Sequence, residues 1–162
     1  MATQETVSKE SQDQDAVQLV TFEVNQQLFG IEVGNVQEVI RFDTITETPG
    51  SSEIIEGVID LRGNIIPVID LRKRFRIDAA PPRSGRRIII TEVQDYIFGF
   101  IVDKVNEVYT FRIEDFEPPP PGVSATGSEY TVGMAHKEEA LLLFLDIEKV
   151  LEIERLLETT DD

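Results

Sequence analysis

Val24-Asn25-Gln26-Gln27-Leu28-Phe29-Gly30-Ile31-Glu32-Val33-Gly34-Asn35-Val36-Gln37-Glu38-Val39 aligns without a gap on Val93-Gln94-Asp95-Tyr96-Ile97-Phe98-Gly99-Phe100-Ile101-Val102-Asp103-Lys104-Val105-Asn106-Glu107-Val108, 69 positions downstream. Phe29/Phe98, Gly30/Gly99, Val33/Val102, Val36/Val105, Glu38/Glu107 and Val39/Val108 are identical. A weaker match at a shift of 76 sets Gly57 to Phe75 on Gly133 to Leu151 and pairs Asp70 with Asp146, with the extra seven residues at or near the proline run Pro118 to Pro121. Self-similarity of this length marks two copies of one supersecondary unit.

Each copy reads as β-rich. Val17 to Val24 alternates, is rich in β-branched residues, and meets the turn-like Asn25-Gln26-Gln27 before a second apolar run; that is a hairpin, repeated at Arg87 to Val93 and Tyr96 to Val102. The triplets Val33-Val36-Val39 and Val102-Val105-Val108 suit one helical turn entering another strand, with core packing as the plainer reading of those valines. A second hairpin joins Gly57 to Leu61 with Ile65 to Ile69 across Arg62-Gly63-Asn64, where Gly supplies a positive φ. Pro67 lacks an amide donor, which argues for an edge strand or a bulge. Asp70 and Asp146 are placed to cap short helices over Leu71 to Phe75 and Ile147 to about Leu156.

Four or five short strands per copy are too few for a sandwich and suit a small closed barrel, which removes exposed edges. The expected fold is mainly β: two five-stranded barrels sharing an apolar layer, with short helices and a C-terminal helix. The expected division is an acidic disordered tail over 1–16, a first barrel half over 17–80, a linker over 81–85, a second half over 86–151, and a helix end with acidic tail over 152–162. Together they form one domain, with strands free to cross between the halves.

Among 162 residues, 31 Asp and Glu outweigh 15 Lys and Arg, for a net charge of −16, and there is no Cys or Trp. Without Cys there is no disulfide framework, thiolate metal site or Cys nucleophile. No secretory signal or stretch long enough to span a bilayer is visible, so a soluble, cytoplasmic protein is expected, without membrane insertion. The acidic balance opposes phosphate binding, which needs a basic face. Arg72, Lys73, Arg74, Arg76, Arg83, Arg86 and Arg87 do concentrate positive charge. They lack interleaved stacking aromatics beyond Phe75, and a solvated face is the better reading, so no nucleic-acid partner is expected.

Catalysis finds little support. The one histidine, His136, falls in the expected turn Ala135-His136-Lys137-Glu138 without a Ser or Asp pattern beside it. Glu114-Asp115-Glu117 is the densest acidic cluster but lacks the spacing of a calcium loop. No phosphate-cradling glycine motif occurs, and neither cofactor nor catalytic residue is expected. The remaining features are those of a binding module, with an inter-barrel groove fit for the apolar face of a partner helix. Arg62, whose counterpart in the second copy is read as Lys137, sits at a hairpin tip where it could contact a partner carboxylate in bidentate fashion.

At these residues the sequence resembles the CheW family of chemotaxis coupling proteins. Phe29 to Val39, Glu56-Gly57-Val58-Ile59-Asp60-Leu61-Arg62-Gly63 with Ile66 to Leu71, Gly99 to Val105 and Phe144 to Lys149 carry the likeness, which covers about residues 17 to 151. The resemblance implies two SH3-like barrels and a non-catalytic adaptor. Its partners would be the cytoplasmic tip of methyl-accepting chemotaxis receptors and the regulatory domain of the histidine kinase CheA. By position, Val33, Val36, Glu38, Arg62 and Val105 match receptor-contact sites, and Ile45 and Thr46 match one kinase contact. A second kinase contact falls near Glu117 to Gly122, where this chain departs from relatives that place a basic and an aromatic residue. The same fold also occurs fused to receiver domains, and nothing in these residues encodes a receiver.

Overall fold

In the computed structural model the described residues are 15–43, 45–46, 54–119 and 127–152. Residues 1–14 of the expected tail over 1–16, Gly122, and the helix end and tail beyond 152 lie outside them, while Ala16, expected in the tail, begins the first strand. Ten strands are present: β1 (Ala16–Val24), β2 (Gln27–Glu32), β3 (Val36–Arg41), β4 (Gly57–Leu61), β5 (Asn64–Asp70), β6 (Arg87–Val93), β7 (Tyr96–Val102), β8 (Lys104–Arg112), β9 (Thr131–Lys137) and β10 (Ala140–Leu145). Two short α-helices, α1 (Leu71–Arg74) and α2 (Ile147–Leu151), follow β5 and β10. Each is capped at its N-terminus: Asp70 accepts from Arg72 N, and Asp146 from the amides of Glu148 and Lys149. The second helix runs to Leu151, with Glu152 at its C-terminus in the left-handed region at φ 49°; the rest of the expected span to Leu156 lies outside the described residues.

The strands form two five-stranded mixed sheets, β8-β1-β2-β10-β9 and β3-β6-β7-β5-β4. Both draw on both sequence halves, because β2 pairs in parallel with β10 and β5 in parallel with β7. The repeat maps one sheet onto the other strand for strand. One isolated bridge completes each ring: Thr46, beyond β3, pairs with Val58 of β4, and Glu117, beyond β8, pairs with Met134 of β9. Edge groups that would otherwise stand open are thereby satisfied.

Alternation in the strands sorts the core. From β6, Ile88 and Ile90 join Ile66, Val68 and Ile101 inside one barrel, while Ile89 faces the layer between the barrels. Leu19, Phe111, Ala135 and Leu142 fill the other barrel. The layer between them takes residues from both sheets and both helices, with the rings of Phe22, Phe29, Phe75 and Tyr130 in successive contact, the Phe29–Phe75 pair tilted and the other two stacked. This is the expected shared layer, and it explains why neither barrel need stand alone.

Three local expectations need correction. Only the first valine triplet contains a helical turn, the 3-10 segment Val33–Asn35; at the second, Asp103 is a bend between β7 and β8. Core packing fails for Val33, 38% exposed in the 3-10 turn, and for Val39, 39% exposed on the outward face of β3, and likewise for exposed Val108 in the second triplet. Pro67 lies in an interior strand without a bulge, opposite Val58. The backbone of Val58 is spent on Thr46, so the amide position of Pro67 faces away from β4 toward β7, where pairing begins only at Val68.

Candidate docking surfaces

The β4–β5 turn places its two central residues at positive φ, Arg62 at 53° and Gly63 at 89°, the geometry of a tight primed turn. Asp60 Oδ1 accepts from Gly63 N at 2.9 Å and fixes the loop. The Arg62 side chain is 70% exposed, and its Nη2 donates to Glu38 Oε1 at 3.0 Å. Glu38 lies on β3 and Arg62 beyond β4, strands at opposite ends of their sheet, so the pair spans the seam.

Val33 lies beside Glu38's strand in a hollow with Ala16, Val17 and Thr110. Val36 and its repeat mate Val105 are both half-buried against the layer between the barrels. Val105 also lines a separate cleft of about 710 Å³ with Arg72 and Asp103. The fold therefore joins Glu38 to Arg62 and sets Val36 and Val105 on one core, but puts Val33 and Val105 in different hollows.

The second copy lacks this arrangement. Glu138, with φ 56°, and not Lys137, occupies the turn position of Arg62. Lys137 ends β9, and its Nζ sits 4.0 Å from the centre of the Tyr109 ring. Where the first copy has Glu38 and Arg62, the second has Glu107 and Glu138; desolvation and then these two carboxylates raise the Tyr109 phenol above its ordinary pKa. Charge thus distinguishes two surfaces that the repeat would make alike.

Ile45 packs on the core inside its barrel, and exposed Thr46 exchanges two backbone hydrogen bonds with Val58, of 3.0 and 2.8 Å. Exposed Glu117 does the same with Met134, at 2.9 and 2.7 Å. The two candidate kinase contacts accordingly occupy equivalent places, the closing bridge of each barrel. Gly57 and Gly133 make those closures possible. A Cβ on Gly57 would meet the Thr46 carbonyl oxygen and stand 2.6 Å from Ile45 Cγ2; one on Gly133 would stand 3.1 Å from Phe116 Cβ.

The basic run is a solvated face only in part: Lys73, Arg76 and Arg83 are exposed, whereas Arg72, Arg74 and Arg86 are engaged within the fold. Arg72 is 7% exposed and grips Asp103 with a fork, Nε to Oδ1 at 2.8 Å and Nη2 to Oδ2 at 2.6 Å. Hydrogen bonding to Asp103 raises the guanidinium pKa above its ordinary value against the opposing cost of burial. Arg74 donates to Val150 O and to Glu152, and Arg86 lies 3.9 Å from the centre of the Phe42 ring. These cations serve internal partners, which the sequence alone did not reveal. One signal was available: Asp103 stands where the first copy has Gly34, and Arg72 where the second has Glu148.

His136 is an exposed residue within β9, not in a turn; the turn comes at Glu138-Glu139. Among the described residues no group of three or more His, Cys, Asp or Glu is placed to hold a metal, and no helix is long and apolar enough to cross a membrane.

A pair of small barrels, each closed by a backbone bridge and one carrying an exposed charged clasp across its seam, belongs to the class of protein-binding scaffolds. A CheW-like domain family model matches residues 18–155. The chain is 33% identical over 143 residues to the chemotaxis protein CheW of Treponema pallidum, covering 86% of this chain and 84% of that one. It is 35% identical over 136 residues to the chemotaxis protein CheW of Bacillus subtilis, covering 84% and 87%. The solved structure of the scaffolding protein TtCheW from Thermoanaerobacter tengcongensis superposes with a TM-score of 0.75 at 36% identity, covering 83% of this chain and 86% of that one. The chain belongs to the CheW family, the non-enzymatic chemotaxis scaffolds that couple receptors to the kinase CheA.

Proposed function

We propose that this adaptor binds the helical cytoplasmic tip of a methyl-accepting chemotaxis receptor through Val33, Val36, Glu38, Arg62 and Val105. It binds the regulatory domain of CheA through Ile45, Thr46 and the segment from Glu117 to Gly122. The observation that carries the receptor surface is the exposed Glu38–Arg62 clasp on the strand that follows exposed Val33, found in one copy of the repeat and replaced by two acids in the other. An apolar strip beside a polar clasp suits an amphipathic helix, whose alternate anchors seek the valines while its charges meet Arg62.

The protein works at receptor arrays on the inner face of the membrane, held there by its partners. Holding both partners in fixed geometry lets a receptor shift bias the kinase, by as much as the contacts differ between the two kinase states. The test is simultaneous occupancy. With the receptor fragment bound at saturation, calorimetric affinity for the kinase regulatory domain should be unchanged or higher; mutual exclusion would contradict separate surfaces.

A further inference from the structure

Arg72 and Asp103 are the most thoroughly buried ion pair among the described residues, and they sit where the chain passes from β7 of one sheet to β8 of the other, next to the end of β5, which pairs in parallel with β7. The side chains are 9% and 11% exposed. Asp103, the bend between the two sheets, is tied to the barrel of β1 and β8 by its amide, which donates to Glu23 O at 3.0 Å, and by Oδ2, which accepts from Asn25 N at 2.7 Å. Arg72 belongs to α1, which follows β5 of the other barrel, and its Nη1 donates to Ala79 O at 2.8 Å in the connector between the sequence halves. One carboxylate thus holds the β1–β2 turn, the start of β8, α1 and the connector together.

The repeat supplies an internal comparison. At the equivalent place on the opposite side Asp103 is replaced by Gly34 and Arg72 by Glu148. Gly34 and Glu148 cannot form an ion pair, and Gln94 Nε2 donates to Glu148 Oε1 there at 2.7 Å in an exposed position. Val33 on that side is 38% exposed, whereas its mate Val102, next to Asp103, is fully buried. The two sides of a nearly symmetrical fold are therefore one open and one clamped.

Resting on the docking reading above, we propose that the Arg72–Asp103 pair is a positioning element for the receptor surface: it clamps Val105 and the start of β8 to the other barrel, fixing the angle between Val105 and the Val36–Glu38 strand. A buried pair of this kind contributes little net stability compared with an apolar substitute but defines geometry where a fork of hydrogen bonds is required. Preorganising the groove in this way removes an ordering cost from receptor binding.

The experiment uses the full chain, which has no native cysteine to interfere with labelling. Spin labels at Ile65→Cys and Val132→Cys, exposed sites on opposite barrels, report the inter-barrel distance. In the Asp103→Asn background the distance distribution should broaden, receptor-fragment affinity should fall by about tenfold, and affinity for the kinase regulatory domain should stay within about twofold. Arg72→Lys, which keeps the charge and loses the fork, should fall between wild type and Asp103→Asn. Circular dichroism at the assay temperature confirms that each variant is folded, and Arg72→Lys carries the test if Asp103→Asn is not. An unchanged distance distribution in both variants overturns the clamp. A broadened one with receptor affinity intact, or with both affinities falling equally, overturns the positioning role. If the wild-type chain binds no receptor fragment, the docking reading fails instead, and the distance distribution alone decides the clamp.

Discussion

Arg62 and Glu38 meet 3.0 Å apart across the seam of their sheet, one from the turn beyond β4 and one from β3, the two strands at opposite ends of the order β3-β6-β7-β5-β4. The contact is well exposed on the arginine side, so it contributes little to holding the barrel shut; the backbone bridge between Thr46 and Val58 does that. An arginine held at a tip by a partly used carboxylate retains donors for a second acidic partner.

Arg62→Glu should therefore separate stability from binding. Exposed ion pairs contribute about 0–1 kcal/mol, so the melting temperature should move by no more than about 4 °C. Receptor-fragment affinity should fall by at least about tenfold, since the reversed charge repels both Glu38 and an acidic partner, and kinase-domain affinity should hold. Titration calorimetry against each partner checks this; loss of both affinities together would count against two surfaces.

The closing bridges make different demands on their glycines. Gly57→Ala drives a methyl into the Thr46 carbonyl, where backbone must move, and should destabilise by about 1–3 kcal/mol while weakening the kinase contact at Ile45 and Thr46. Gly133→Ala meets a side-chain carbon at 3.1 Å and should cost less, under about 1 kcal/mol. Urea unfolding of the two variants side by side gives the order, and a costlier Gly133→Ala would show that the bridges are not closed as described.

Burial raises the Asp70 carboxyl pKa above its ordinary value, against the lowering effects of the Arg72 amide and of Arg86. A raised carboxyl pKa means that the folded chain binds the proton more tightly than the unfolded one. Stability from this group is then full below the unfolded value near 3.8 and declines as pH rises through the folded value. Asp70→Asn keeps a capping oxygen without the charge, so at pH 7 it should be neutral or stabilising by less than about 1 kcal/mol. The difference should vanish at acid pH, where Asp70 is protonated in both states. Thermal melts across pH 3 to 7 test it; a variant less stable at pH 7 than at pH 3, relative to wild type, would reverse the sign.

Because Arg72, Arg74 and Arg86 are engaged internally, the basic run should not bind nucleic acid. Fluorescence anisotropy with a labelled single-stranded oligonucleotide should stay flat even at about 50 mM salt, where phosphate contacts are strongest. A rise that disappears at about 200 mM would contradict the assignment of those cations.

What the sequence discloses follows from how local each feature is. The hairpins, the helix caps at Asp70 and Asp146 and the duplication depend on alternation and on residues close in the chain, and they read directly. The exchange of strands does not, because Leu28 or Val68 alternates in the same way whether its strand pairs within its own half or, as here, in parallel with β10 or β7. Arg72 looks like surface because four of five residues from Arg72 to Arg76 are basic, and its carboxylate partner is 31 residues away. Val33 and Val39 look like core because their spacing mimics a helix, whereas one sits in a 3-10 turn and the other on the outer face of β3. The Glu38–Arg62 clasp was accessible only in part: the residues stood out, but the seam that brings them together is a product of barrel closure.

Co-sedimentation of the full chain with a membrane-bound chemoreceptor fragment and CheA, read out as CheA autophosphorylation in the pellet, tests the adaptor role most directly. Wild-type chain should carry CheA into the receptor pellet and change its phosphorylation rate, and Arg62→Glu should do neither. Equal recovery and equal activity of CheA with and without the chain would contradict the account.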